Sequence, residues 1–251
     1  MAGRGDGADL PTAILRAVDD VEFRYVCSFG ADRGLPFSEG GAFCSDGWEK
    51  LRPCRKHPST PGSHFGPEIG FAEAMKEHWP RMRTAIIKYG RGGSRLATDW
   101  ARERADGGGF YDDMIKQVRE ALRTLEEGGT EYKLGGFIWM QGEGDTTHIE
   151  YAEAHEENLR RLLAAVRKDL GEPHLPVVIG RIGDGSRNPK MLYPGEVRGA
   201  QERIGREDPD AASVDTDDLP LGDFVHYNSS GLLKLGRRFA DAIVGLDAKS
   251  R

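Results

Sequence analysis

The chain has 251 residues, 38% of them apolar and 30% charged, with a net charge of -6. That balance supports a buried core under a well-solvated surface, and it argues against nucleic acid or an anionic membrane as the main partner, since both are gripped by concentrated positive charge. No apolar run approaches the roughly 18 residues of a membrane span, and residues 1–20 lack the basic and apolar regions of a secretory signal. The compartment stays open: cytoplasmic if Met1 is the native start, secreted if an upstream segment carries a signal.

The chain opens MAGRGDGADLP, a glycine-rich stretch with no strand or cap before it. VEFRYVC (21–27) is rich in aromatic and branched residues and reads as a strand. From Ser28 to about Gly66 the sequence turns to Gly, Pro and Ser and reads as one long loop, of the kind that shapes a site. FGPEIGFAEAMKEHW (65–79) reads as a helix. Pro67 suits its first turn, Glu68 suits its positive end, and Ile69, Ala72, Met75 and Trp79 recur at helical spacing.

RTAIIKYG (83–90) reads as a buried strand, and FYDDMIKQVREALRTLEEGG (110–129) as an amphipathic helix closed by Gly128 and Gly129. LGGFIWMQG (134–142) is a second buried strand, IEYAEAHEENLRRLLAAVRKDLG (149–171) a long helix ended by Gly171, and LPVVIGRIG (175–183) a third buried strand. A helix over 196–208, a short strand over 212–219 and a closing helix over 229–246, capped by Ser229 or Ser230, complete the pattern. Short apolar strands alternating with amphipathic helices predict a single α/β domain over 1–251, a three-layer α/β/α sandwich around a mainly parallel sheet. In such folds, chemistry gathers in loops beyond the carboxyl ends of the strands.

The cysteines number three, Cys27, Cys44 and Cys54, with no C-x-x-C pair. Cys44 and Cys54 with His57 and His64 match no zinc spacing, so no metal is expected. Free thiols are favoured over a Cys44–Cys54 disulfide.

Three loops carry polar residues suited to chemistry: GRGGSRLATDW (90–100), QGEGD (141–145) and LGDFVHYNSSG (221–231). Asp223 and His226 form a D-x-x-H pair. If the carboxylate bonds one imidazole nitrogen, the other can serve as a general base, although the same pair also occurs on incidental surface loops. Gln141 ends an apolar strand, where its amide could donate to a developing oxyanion, and the backbone N–H groups of Gly92 and Gly93 could add donors. Glu143 and Asp145 could be read as a glycosidase acid pair, but they lie two apart on one loop.

In combination these pieces resemble the sialate O-acetylesterase-like carbohydrate esterases, a branch of the SGNH hydrolases that includes acetylxylan esterases. FIWMQGEGD is similar to the family's W-x-Q-G-E-x-D block, FGPEIGFAEAM to its G-P-E helix start, and AIIKYGRGGSRLATDW to its strand, G-G-S/T-x-L turn and later Trp. DTDDLPLGDFVHYNSSGLLKLGRRFA is similar to its closing block. The resemblance implies an SGNH-type, flavodoxin-like fold and a serine esterase that needs no cofactor and acts on an acylated carbohydrate or small ester. It implies His226 as base and Asp223 as its orienter. It further implies Gln141 and Gly93 as oxyanion donors, and Glu143 and Asp145 as residues that organise the loop or support the site. Gly144 stands where the family often has Ser.

The family's nucleophile is the Ser of a G-Q-S-N-M-A/S-G-R-G block after its first strand. Met1 through Gly5 resemble the second half of that block, which places the serine two positions upstream of Met1 and the first strand upstream with it. Ser94 reads as a turn or site-wall residue rather than a substitute, and neither it, Ser28 nor Ser45 lies in a G-x-S-x-G elbow. The expected function is removal of acetyl or other acyl groups from carbohydrates; the alternative is an inactive carbohydrate-binding relative. Adhesion through Arg4-Gly5-Asp6 is a third and weaker reading, since a three-residue match arises readily by chance. Substrate identity and oligomeric state are not encoded legibly.

Overall fold

The computed structural model describes residues 5–28, 43–57, 60–102 and 109–249. Met1–Arg4, which carry most of the match to the nucleophile block, lie outside these, as do residues 29–42 of the long loop. The chain divides into two compact units, Met1–Gly92 with Asp217–Val244, and Gly93–Thr216 with Gly245–Arg251.

The first unit runs through β1 (Gly5–Asp6), α1 (Thr12–Ala17), β2 (Glu22–Ser28), β3 (Phe43–Cys44), β4 (Glu49–Lys50), β5 (Cys54–His57), β6 (Thr60–Phe65), α2 (Glu68–His78) and β7 (Ala85–Arg91). Its main sheet is centred on β2, which pairs in parallel with β7 from Glu22↔Ala85 to Ser28↔Arg91. The other edge of β2 holds β3 and β4, both antiparallel. A second, antiparallel sheet has the order β1-β6-β5.

The first unit departs from the expected pattern in three places. The stretch read as a continuous loop contains four short strands, because Phe43–Cys44 and Glu49–Lys50 pair with opposite ends of β2. Such pairing is non-local and leaves no period in so short a segment. From Gly5 onward the opening stretch is also structured: Gly5 pairs with Phe65, and Asp6 caps a 3-10 turn at Gly7–Asp9 by accepting the Ala8 amide at 2.9 Å. The strand over 83–90 forms as β7, but it is half-buried rather than buried, with Ala85 exposed.

The second unit holds α3 (Phe110–Glu127), β8 (Phe137–Trp139), α4 (Ile149–Glu153), α5 (His155–Leu170), β9 (Val177–Gly180), α6 (Pro194–Glu207) and β10 (Ala211–Val214). Its sheet is wholly parallel in the order β10-β9-β8. All four residues of β9 are buried, as a central parallel strand covered on both faces demands. On α5, Leu159, Leu162, Leu163 and Val166 recur at helical spacing and are all buried. Gly171 closes α5 in the left-handed conformation, with φ 72°. The helix expected over 149–171 is broken at Ala154, where α4 ends and α5 begins.

The closing helix, α7 (Ser229–Lys249), starts in the first unit. Its cap is Asn228 rather than a serine: Asn228 Oδ1 accepts the Gly231 amide at 2.9 Å, and its carbonyl accepts Leu232 N. Ser229 instead ties down the chain start, accepting the Asp6 amide and donating to Asp9. α7 approaches α2 so closely that a Cβ at Gly236 would lie 2.1 Å from the Pro67 carbonyl oxygen, and one at Gly70 2.2 Å from that of Leu233. Glu68 is buried, where it accepts the Gly66 amide at 2.8 Å and pairs with Lys88 Nζ at 2.8 Å. Thus Glu68 does more than favour a positive helix end: it joins α2 to β7. The α/β class expected from the alternation of elements is the class observed.

Candidate active site

The residues singled out in the sequence fall into two clusters, one in each unit. In the first unit, the segment before α7 folds back on itself. Gly222 N donates to the His226 carbonyl at 2.8 Å, Asn228 N to the Pro220 carbonyl at 3.0 Å, and Leu221 bridges Tyr227. Asp223 locks this turn with one oxygen, its Oδ1 accepting the amides of Val225 at 2.8 Å and His226 at 2.7 Å. The other oxygen, Oδ2, lies 2.7 Å from His226 Nδ1.

This is the geometry a D-x-x-H spacing permits when the carboxylate caps its own turn. Burial by itself pushes Asp223 up, but the His226 and Val225 amides and the imidazole outweigh it and hold the carboxyl below its usual value. An ionised Asp223 accepts Nδ1–H and leaves Nε2 as the nitrogen able to take a proton. Both side chains are about one-third exposed, so the imidazole can be reached from solvent. Phe224, between them, is 57% exposed.

In the second unit, the centre is Asp145, which is fully buried on a 3-10 turn directly after the Q-G-E-G stretch. Asp145 Oδ1 accepts the Ala97 amide at 2.9 Å, and Oδ2 accepts the Leu96 amide at 2.9 Å. The same Oδ2 accepts Gln141 Nε2 at 2.8 Å. Gln141 Nε2 also donates to the Ser94 carbonyl at 3.0 Å, so both of its amide hydrogens are engaged within the cluster. Its backbone is fixed from behind: Gln201 Nε2 donates to the Gln141 carbonyl at 2.9 Å, while Gln201 Oε1 accepts the Ile182 amide at 2.9 Å. The Q-G-E-G-D loop and the G-G-S-R-L turn are therefore one hydrogen-bonded body.

Ser94 is buried, and its hydroxyl accepts Trp100 Nε1 at 2.9 Å. A serine so placed is part of the wall of the turn. Gly93 takes φ 68°, a conformation that favours glycine, while Gly92 is half-buried and ends the first unit. Glu143 is half-buried, and its carbonyl accepts the Thr146 hydroxyl at 2.8 Å. Gly144 has a steric reason to stand where the family often carries Ser: a Cβ there would lie 2.4 Å from the Ser94 carbonyl oxygen.

One residue escaped the reading of the sequence. His155, the first residue of α5, is completely buried, with Nδ1 3.8 Å from Asp145 Oδ2. Burial pushes its pKa down to about 4 despite the pull of Asp145, so the ring is neutral at ordinary pH. The available signal was its place on the helix, one turn before Leu159 on the buried stripe. Cys44 is an exposed free thiol, and the side chain of Cys54 lies outside the described residues. No helix among the described residues is long and apolar enough to cross a membrane.

A family model described as carbohydrate esterase, sialic acid-specific acetylesterase, matches residues 44–245. A probable carbohydrate esterase of Arabidopsis thaliana is 31% identical over 183 residues, covering 70% of this chain and 62% of the relative. The crystal structure of that plant protein superposes with a TM-score of 0.67 at 25% identity, covering 98% of this chain and 93% of the other. A carbohydrate acetylesterase from Xanthomonas citri also gives a TM-score of 0.67, at 15% identity, covering 99% of this chain and 55% of the other, a likeness of fold.

Proposed function

Because the chain belongs to the carbohydrate esterase family of sialic acid-specific acetylesterases, we propose that it removes acetyl groups from acylated carbohydrates, as a single esterase domain. The observation that carries this reading is the 2.7 Å contact between Asp223 Oδ2 and His226 Nδ1, with the carboxylate's other oxygen locked by two amides. That arrangement fixes the tautomer of His226 and stabilises the imidazolium formed when Nε2 accepts a proton.

In the reaction, a serine hydroxyl gives its proton to His226 Nε2 as its oxygen attacks the ester carbonyl. Collapse of the tetrahedral intermediate expels the sugar oxygen, which takes the proton from His226. Water then enters by the same route, and acetate leaves. The proposal assigns the oxyanion role to Gln141 and Gly93, with Gly92, Ser94 and Glu143 shaping the turn and the substrate pocket. It places the attacking serine two positions upstream of Met1, on the strength of the match of Met1–Gly5 to the family's nucleophile block. The burial of Ser94 and the engagement of its hydroxyl with Trp100 support that assignment over Ser94 itself.

The test is paired. Acetate release from p-nitrophenyl acetate and from acetylated xylan is measured for residues 1–251 and for a form extended upstream through the serine. Turnover confined to the extended form, and abolished by His226→Ala, is the expected result. Equal turnover in both forms sinks the upstream serine. Glycan binding without turnover in either form points to the inactive carbohydrate-binding alternative.

A further inference from the structure

Gln141 presents a difficulty for its own proposed role. Its two amide hydrogens are committed, one to the Ser94 carbonyl and one to Asp145 Oδ2. To donate to an oxyanion it must release one of them, and releasing Asp145 strips a donor from a carboxylate with no access to water. Losing a bond to a buried charge is costly, and that cost would fall on the transition state.

The remedy is within reach of the same oxygen. His155 Nδ1 lies 3.8 Å from Asp145 Oδ2, about 1 Å beyond hydrogen-bond distance. Both ring nitrogens of His155 are buried without hydrogen-bond partners, and so is Gln141 Oε1. A buried, unpartnered nitrogen beside a buried carboxylate is a donor waiting for its acceptor. The other donors to Asp145, the Leu96 and Ala97 amides, belong to the backbone and cannot move independently. His155 and Gln141 are the two side chains that can exchange.

We infer that His155 is a positioning residue that takes over Asp145 Oδ2 when the Gln141 amide turns away toward the acyl oxygen. The ring donates Nδ1–H as a neutral imidazole, so no proton is taken up and the cluster keeps its charge. The site then passes between two satisfied arrangements, with Gln141 on Asp145 at rest and His155 on Asp145 in the transition state. This inference rests on the proposed oxyanion role of Gln141.

Two readouts test it. The first needs no turnover. Histidine-selective nitrogen NMR on the full chain near pH 7 separates a protonated ring nitrogen from an unprotonated one. The expected state of His155 is the Nδ1–H tautomer, and in Gln141→Met, which removes the amide donor and keeps the volume, that proton moves downfield and exchanges more slowly. Gln141→Leu serves as a second variant should the first fail to fold. An Nε2–H tautomer, or an Nδ1 proton indifferent to the loss of the Gln141 amide, overturns the hand-off.

The second is kinetic, in a form of the protein that hydrolyses esters. His155→Phe should lower kcat about tenfold with KM little changed, the mark of an interaction made only in the transition state. His155→Gln, which keeps a donor, should recover most of that loss. A kcat unchanged in His155→Phe overturns the inference. Absence of ester turnover in every form would defeat the esterase reading alone, and the NMR result would still decide the hand-off.

Discussion

Asp223 and His226 are joined twice. The carboxylate accepts the His226 amide through Oδ1 at 2.7 Å and meets His226 Nδ1 through Oδ2 at 2.7 Å. One side chain thus fixes both the backbone of the base and the tautomer of its ring. A spacing of three residues allows this without help from the rest of the fold.

Asp223→Asn follows from that double role. The amide oxygen can still hold the turn, but the side chain presents the wrong hydrogen-bonding group to Nδ1. We expect kcat for acetyl-ester hydrolysis to fall about 10^4-fold with little change in thermal midpoint, by analogy with loss of the carboxylate in a Ser-His-Asp triad. Parallel turnover and melting measurements check it, and a loss of less than tenfold would remove Asp223 from the mechanism.

Acid should weaken the fold through His155. Its folded pKa of about 4 lies below the ordinary 6.5, so between these values the unfolded chain binds more protons. Stability is complete above about pH 6.5 and falls as pH drops toward 4, by on the order of 3 kcal/mol. Urea midpoints at pH 7 and pH 5 measure the slope, which His155→Phe should flatten. Asp223 acts in the same sense in a lower window. Its carboxyl is held below 3.8, so its contribution is present above that value and lost as pH falls through the folded pKa.

Gly144→Ser restores a residue common in the family at a position with no room for it. A Cβ 2.4 Å from the Ser94 carbonyl oxygen must push the G-G-S-R-L turn away from the Q-G-E-G-D loop. Destabilisation of about 1–3 kcal/mol is expected, with loosening of the Gln141 contact. Chemical denaturation and amide exchange at Leu96 and Ala97 report the two effects, and a stability equal to the parent's would mean that the loops can part freely.

Asn228→Ala should cost about 1 kcal/mol by leaving the Gly231 amide at the start of α7 without its cap. Ser230→Ala, at the position whose serine looked equally eligible, should be nearly silent. A reversal of that order in urea titrations would return the cap to the serine.

Much of this protein is written in its residues. Alternating apolar strands and amphipathic helices give the α/β class, because a helical stripe such as Leu159, Leu162, Leu163 and Val166 is a local property of the chain. The Asp223–His226 pair is also legible, since its partners lie three residues apart. What required the folded chain is whatever joins distant segments. Asp145 binds amides 48 and 49 residues away, and that bond, rather than any local pattern, makes one body of the two loops. His155 reads as one more polar residue near a leucine stripe until the fold buries it beside that carboxylate. The strands Phe43–Cys44 and Glu49–Lys50 exist only because β2 offers an open edge, and Thr60–Phe65 pairs with Gly5–Asp6 more than 50 residues away in sequence. Periodicity and spacing report what a residue does to its neighbours in sequence, whereas desolvation and the sharing of one acceptor between two donors are decided by residues brought close only in three dimensions.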